Sequence, residues 1–508
     1  MDYACVVETK MSYTNTFSKL GPRYHEPREV QTAILDALTK PLLERYNFLE
    51  APVGIGKSAV AVSLGELINA VVTVITTGTM SLQNQYATDF PRIVSVVGRG
   101  NFPCFASPGL TAAEGPCNII EMSCNSPYYE QERRAASASV IVTNYALYLA
   151  DLLFGSRWTE RKPTLLVCDE AHRLLDILTA VETASLDRRL AQHLGFIIPP
   201  VMSVSTAGDW ATRHLGEIVS RGGMMIRTGQ ASAGAWLRLQ RQAESLAMVD
   251  PSAIITKDSA DKWEAAPLWP RYSAEMLRRS ARFLLFMSAT LSTGFLTDLL
   301  GIKNYNLYNA PSPFDTVRWP VYYKPVVSLN VRSSKEDWLK VGRAVHALMH
   351  SRQEETGIVH VAARKQVQLL LPPVAACPQC RNRIIFQRPK ELRAAVITRF
   401  RQSHNGWIFH PSIGEGESFD DEQCRVQVIA KIRFPDLGNE VVRQRAADKG
   451  MGAKYYYEST VAYTAQTVGR GMRHEGDYCE TFIFDGAFGN LYDRHKLSFP
   501  SWFQKQLR

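Results

Sequence analysis

The stretch "LEAPVGIGKSAVAVS", residues 49–63, decides how this chain is to be read. An apolar run, "YNFLEA", ends at Pro52, two glycines and a lysine follow, and a small-residue helical pattern, "KSAVAVSLGELINAV", begins. "APVGIGKS" is therefore expected to be a strand-to-helix turn. Glycine permits the tight backbone, successive N–H groups of such a turn point at one spot, the positive end of the helix dipole faces it, and Lys57 adds a full charge. In the pattern G-x-x-x-x-G-K-[ST], Ala51 stands at the first position, while Gly54, Gly56, Lys57 and Ser58 fill the turn, phosphate and Mg²⁺ positions. A glycine-containing loop with an incidental lysine is the plain alternative, so a second half-site is needed.

"PTLLVCDEAHRLLDIL" supplies it. Leu165 to Cys168 form an apolar run that ends in Asp169 and Glu170, 112 positions after Lys57. An acid at the end of a buried strand can anchor Mg²⁺, the role read for Asp169, and the next acid can orient and deprotonate an attacking water, the role read for Glu170. Such a pair on a solvated turn is common in isolation. Behind a phosphate-binding loop it implies a site for ATP with Mg²⁺.

Working outward, 508 residues allow roughly three or four structural units at about 100 to 200 residues each. Hydrophobic residues at 45% and charged residues at 21% suit a globular protein and exclude a fibrous or wholly disordered one. No apolar stretch reaches the roughly 18 residues needed to cross a bilayer, and "MDYACVVETKMSYTNTF" lacks the apolar block of a secretion signal. A cytoplasmic protein with no membrane partner is expected, and the compact size suggests a bacterial or phage-encoded one. The net charge of +9 favours a polyanionic partner without proving one. Nine cysteines in such a chain suggest thiols or metal ligands more than disulfides.

Asp169-Glu170-Ala171-His172 spells a DEAH box. With "REVQ" (Arg28, Gln31), the phosphate loop, "VITTGTMSLQNQ", "VTNYALYL", "FMSATLS" and "QTVGRGMR" in order, the chain resembles superfamily 2 DNA helicases of the XPD/DinG type. The resemblance implies an α/β fold of two RecA-like P-loop motor domains with parallel sheets. It also implies a small cysteine-containing insertion and a helical, arch-like insertion in the first domain.

Arg28 and Gln31, one helical turn apart, lie where that family embraces the adenine. Thr76, Thr77 and Thr79 follow a strand and can hydrogen-bond phosphate oxygens of a nucleic-acid strand. Ser288, Ala289 and Thr290 end another buried strand; in the family they couple hydrolysis to the nucleic-acid groove. Gln466, Arg470 and Arg473 recur at spacings of four and three, so one helix face is expected to present an amide and two guanidiniums to the triphosphate across a cleft. Each motif has a plain reading as a solvated face or polar turn, which accounts for composition but not for order.

Two departures stand out. The family often holds an iron–sulfur cluster on four cysteines between the phosphate loop and the DEAH box, and here Cys104, Cys117 and Cys124 occur without a fourth. A [4Fe–4S] cluster with another ligand, zinc, and thiols in a packed loop all remain readings of that segment. Glu415-Gly416 is kept ahead of a strand, yet Glu417-Ser418 stands where the family usually places a small apolar residue and an aspartate. Cys377 and Cys380 form a lone C-x-x-C that could be half of a zinc ribbon, but no second cysteine pair accompanies it, so incidental thiols are the favoured reading.

The expected organisation is a first motor domain at 1–96, 140–175 and 276–304, a cysteine-containing insertion at 97–139, a helical insertion at 176–275, and a second motor domain at 305–508. About 20 residues precede "RYHEPREVQ", read as leaving no room for the nuclease domain of some relatives. The function implied is an ATP-dependent DNA helicase acting as a monomer on single-stranded and forked DNA or RNA–DNA hybrid, with 5′→3′ movement suggested by the resemblance. A nucleic-acid-stimulated ATPase that remodels complexes without sustained unwinding, and a catalytically weak binding scaffold, are the alternatives.

Overall fold

The central strands of both large sheets are short and mostly buried, as strands covered by helices on both faces must be. The computed structural model describes residues 13–21, 24–39, 44–107, 109–115, 126–155, 158–228, 230, 233–411, 413, 419, 421–472, 474 and 476–508. In chain order the first lobe contributes β1 (Tyr46–Glu50), β2 (Thr73–Thr77), β3 (Val94–Ser95), β4 (Val140–Asn144) and β5 (Leu165–Asp169). An excursion carries β6 (Ala184–Asp187), β7 (Ile254–Asp258) and β8 (Lys262–Ala266), after which β9 (Phe283–Ser288) and β10 (Asn306–Asn309) rejoin the first sheet. The order is β10-β1-β9-β5-β2-β4-β3, with every pairing parallel.

Parallel pairing brings the carboxyl ends of strands to one edge, where ligands bind in open α/β sheets. Register places Glu50 beside Ser288, Asp169 beside Met287, and Thr76 beside Cys168, so β1, β2, β5 and β9 all end on that edge. The helix Lys57–Leu67 leaves β1 there, and its inward side chains, Val60, Ala61 and Leu64, are completely buried.

The second lobe holds β11 (Val321–Val327), β12 (Gly357–His360), β13 (Ile384–Phe386), β14 (Trp407–His410), β15 (Val426–Ile429) and β16 (Glu480–Asp485), in the order β11-β16-β15-β12-β14-β13, again all parallel. The α/β class and the two parallel sheets agree with the sequence reading. Among the described residues no helix is long and apolar enough to cross a membrane.

Two details differ from it. Asn306–Asn309, assigned from sequence to the second domain, is the edge strand of the first sheet, with Asn306 opposite Asn47 and Asn309 opposite Glu50. "NLYN" is polar and half exposed, so no apolar run announced it. The excursion contains the expected helices, Val204–Arg227 and Ala233–Ala247, but also an antiparallel sheet in the order β6-β8-β7. The outer strand, "IITKD", is exposed along most of its length and gave no alternation to read. Trp210, Trp236, Leu239, Leu246 and Trp263 form the core between helices and sheet.

The lobes are packed together. Tyr455, on the helix Gly452–Val468, lies edge-on to Trp269 with ring centroids 5.8 Å apart, and Glu458 accepts the Phe295 N–H at 3.1 Å. Buried Arg445 donates to the carbonyls of Leu268 (2.6 Å) and Pro267 (3.1 Å) and to the Thr179 hydroxyl (2.8 Å).

One packing constraint in the second lobe is testable. Gly357 opens β12 beside Trp407, whose ring is fully buried; a Cβ at Gly357 would sit 2.3 Å from that ring. Gly357→Ala is expected to destabilise the protein by about 1–3 kcal/mol. An unchanged thermal melt would show that the ring can give way.

Candidate active site

The turn after β1 is built as its glycines require. Gly54 and Gly56 have φ of 80° and 81°, a left-handed conformation that costs glycine little. A Cβ on Gly56 would lie 2.4 Å from Gln31 Nε2, so side-chain-free backbone is needed there twice over. Buried Gln31 donates this amide to the Ile55 carbonyl at 2.9 Å and accepts the Arg28 N–H at 2.9 Å, while the Arg28 guanidinium donates to the Gly54 carbonyl at 2.8 Å. The pair read as adenine contacts therefore also clamps the loop from behind. Lys57 opens the helix and donates to the carbonyls of Ala51 (3.0 Å) and Pro52 (3.2 Å).

Asp169 closes β5 and is buried. Its Oδ2 accepts the Tyr86 hydroxyl at 2.8 Å, its Oδ1 accepts the Glu170 N–H at 2.8 Å, and its carbonyl accepts the Tyr145 hydroxyl at 2.9 Å. The Ser58 side chain lies beside the same phenol, so Ser58 and Asp169 converge on Tyr86. Sequence reading missed Tyr86 and Tyr145; each lies on a helix whose pattern signals packing alone. Glu170 adopts a left-handed backbone, φ 54° and ψ 44°, which a residue with a side chain holds only under constraint. Its carboxylate lies 3.2 Å from His172 Nδ1, and the same nitrogen is 2.9 Å from Ser288 Oγ.

The two acids are driven apart electrostatically. Burial, then the charge of Glu170, push Asp169 up to about 7 against the pull of Lys57. Burial opposes the charge on Glu170 as well, but the hydrogen bond and charge of His172, followed by Lys57 and Arg470, hold it below the usual carboxylate range. An ionised carboxylate therefore stands beside a buried acid that a cation would ionise.

The second lobe reaches this edge. Thr290, buried just past β9, accepts a hydrogen bond from Gln466 Nε2 at 2.9 Å, and the Ala289 carbonyl accepts Trp502 Nε1 at 3.2 Å. Ser288 links inward: its carbonyl accepts the Ala51 N–H at 2.9 Å and its hydroxyl accepts the Thr290 N–H at 3.2 Å. Arg470 is half-buried and close enough for its charge to act on Glu170 and on His360, whose imidazole burial pushes down to about 4. One expectation is corrected: Gln466 and Arg470 do not share a helix. The helix ends at Val468 with Gly469 as its cap, and Arg470 lies in the turn beyond. Arg473 lies outside the described residues.

Other candidates are placed as follows. Thr76 and Thr77 are completely buried, their hydroxyls donated to the carbonyls of Val167 (3.1 Å) and Thr79 (3.1 Å), so the phosphate contacts read for them are corrected to sheet contacts. Thr79 caps the helix Met80–Asp89, accepting the Leu82 N–H at 3.2 Å. Cys104 is buried. Cys117 and Cys124, the other two cysteines of that segment, and the Glu415-Gly416 pair lie outside the described residues.

Comparison with known proteins bears on the fold and on the family resemblance. The family described as Helicase C-terminal domain matches residues 343–506. A 107-residue segment is 27% identical to the ATP-dependent DNA helicase chl1 of Schizosaccharomyces pombe, covering 19% of this chain and 12% of that protein. The chain spans only 12–18% of the length of the chl1-type relatives it matches. Its fold superposes on an XPD helicase with a TM-score of 0.64 at 15% identity, covering 95% of this chain and 99% of the other. For Xpd4 of S. tokodaii the TM-score is 0.63 at 15% identity, with the same coverage. The resemblance to XPD/DinG-type helicases read in the sequence is borne out, and the two-lobed fold is that of XPD.

Glu50, also missed from sequence, ends β1 inside this edge and accepts the Leu291 N–H at 3.2 Å. Burial pushes its carboxyl up to about 7, against that hydrogen bond. The folded state favours the protonated form, so stability is lost as pH rises from the unfolded value of about 4.5 through about 7. Glu50→Gln, which stays neutral, is expected to match wild type near pH 5 and to exceed it by about 2–3 kcal/mol near pH 8. Chemical denaturation at both pH values checks this; a pH-independent difference would contradict it.

Proposed function

We propose that the protein is an ATP-driven motor that tracks 5′→3′ along single-stranded DNA as a single chain and opens duplex DNA or RNA–DNA hybrid ahead of it. The observation that carries the proposal is the Gln466–Thr290 hydrogen bond of 2.9 Å, which joins the second lobe to the strand end beside the phosphate loop and the acid pair. Polarity and DNA preference come from the resemblance, because backbone-tracking contacts carry little sequence information.

In this reading the loop N–H groups and Lys57 hold the β- and γ-phosphates. Ser58 and Asp169 fit a shared Mg²⁺, since both meet the Tyr86 phenol; that ion supplies neutralisation of phosphate charge. Glu170 orients the attacking water and takes its proton, and His172, bonded to both Glu170 and Ser288, fixes the direction of the carboxylate. Arg470 and Arg473 stabilise charge developing on the γ-phosphate, which makes closure of the lobes a condition of hydrolysis. The line Glu170–His172–Ser288, continued through Thr290 to Gln466, then reports the state of the nucleotide to the second lobe.

ATP turnover with and without single-stranded DNA tests the proposal. Wild type is expected to be DNA-stimulated, and Lys57→Ala and Glu170→Gln to lose about 10²-fold or more of that turnover, with ATP binding retained by Glu170→Gln. Strand displacement on 5′-tailed but not 3′-tailed forks is the second expected result. Stimulated turnover without displacement would favour the remodelling ATPase, and absence of Lys57-dependent turnover would end the motor reading.

A further inference from the structure

The C-x-x-C that looked solitary in the sequence has a partner pair of another kind. His346 and His350 are one turn apart at the end of the helix Lys335–Ser351, and the fold brings them to Cys377 and Cys380. The four ligand atoms lie within 4.8 Å of one another. Cys377 Sγ is 3.6 Å from His350 Nδ1, and a tetrahedral ion with Zn–S of about 2.3 Å and Zn–N of about 2.0–2.1 Å has an S···N edge of about 3.6 Å. His346 Nε2 is shut off from water and meets no nitrogen or oxygen partner, a costly position for a ring nitrogen that ligates nothing. Cys380 is buried while His350 is exposed, so the cluster is anchored on one side and open to an incoming ion on the other.

We propose that His346, His350, Cys377 and Cys380 bind one structural Zn²⁺, in a Cys₂His₂ site separate from the nucleotide cleft. H-x-x-x-H and C-x-x-C are both spacings that present two ligands to one tetrahedral ion, and four protein ligands leave no open position for catalysis. The scaffold is set independently of the metal. The Arg383 guanidinium, buried just after the cysteine pair, donates to the carbonyls of Met349 (2.9 Å), Arg352 (2.7 Å), Glu355 (2.8 Å) and Asn405 (2.8 Å), tying the end of the histidine helix to the cysteine turn. Within that turn the Arg383 N–H reaches the Cys380 carbonyl at 3.0 Å and the Arg381 N–H the Cys377 carbonyl at 2.9 Å.

The staple meets a local need. The intervening helix Arg364–Ala375 contains Pro372 and Pro373, which remove two N–H donors from its last turn. It also lies so close to the histidine helix that a Cβ on Gly342 would be 2.4 Å from the Leu370 carbonyl. An ion fixed beyond both helix ends holds that contact where backbone bonding is weakest.

The test uses the full chain, purified without chelators from zinc-supplemented cells. Elemental analysis is expected to give about one more zinc per chain in wild type than in Cys377→Ser/Cys380→Ser. Cobalt substitution of wild type should give tetrahedral d–d bands with thiolate charge transfer, absent from the double variant. If the double variant does not fold, His350→Ala decides, since that side chain is exposed: it should bind zinc at least about tenfold more weakly in chelator competition. Zinc content and affinity unchanged in both variants, or a folded wild type without zinc whose four ligands bind no cobalt, would overturn the proposal.

Discussion

The side-chain hydrogen bond from Gln466 to Thr290 spans the two lobes at the edge where the phosphate loop and acid pair meet. Its weight comes from what lies behind Thr290. The Thr290 N–H is held by the Ser288 hydroxyl, that hydroxyl touches His172, and His172 touches Glu170. Ser288 also holds the Ala51 N–H at the start of the loop through its carbonyl. Ser288 and Thr290 are buried, so displacing a partner of either leaves a polar atom without a bond, at about 1–3 kcal/mol. A displacement of Gln466 is thereby felt at the acid that would position water.

The same edge stores local cost. Glu170 holds a left-handed backbone, Asp169 is a buried acid beside another acid, and Glu50 is a third, half-buried carboxyl at the end of β1. Local strain and buried charge of this kind are typical of functional sites, because the surrounding sheet can over-determine geometries that a free chain would leave. Here the restraint comes from Tyr86 and Tyr145, whose hydroxyls grip the two ends of Asp169 from separate helices.

The phosphate loop, the acid pair and the two parallel sheets were legible because each rests on a local rule: glycines where φ is positive, an apolar run ending in acids, strands alternating with helices. What stayed hidden depends on contacts between distant segments. Tyr86 is 83 positions from Asp169, and nothing near it in sequence marks it as more than a packed helix residue. Thr76 and Thr77 looked like surface hydroxyls at a strand end, but neighbouring strands on both sides of β2 extend far enough to enclose them. Spacing alone put Gln466 and Arg470 on one helix, whereas the two glycines flanking Arg470 end it first. The cysteine pair at 377 and 380 was set aside for want of two more cysteines, when the fold supplies imidazoles from another helix.

The inter-lobe contacts are uneven, and this bears on how the proposed cycle would move. Away from the nucleotide edge, the second lobe is held by Arg445 on two carbonyls and a hydroxyl, by Tyr455 among Trp269 and Phe295, and by Glu458 on the Phe295 N–H. Removing buried Arg445 would take their donor from the Leu268 and Pro267 carbonyls, while the Thr179 hydroxyl keeps its bond to the Leu175 carbonyl, a larger cost than losing one amide contact. At the nucleotide edge, the Gln466 amide and the Trp502 indole donate hydrogen bonds to the strand end of the first lobe. A rotation that opens this edge would pivot on the Arg445–Tyr455 side. In the proposed cycle, binding energy from a triphosphate held by both lobes would be delivered at this edge, away from the Arg445 anchor, and closure there would become a step along a strand.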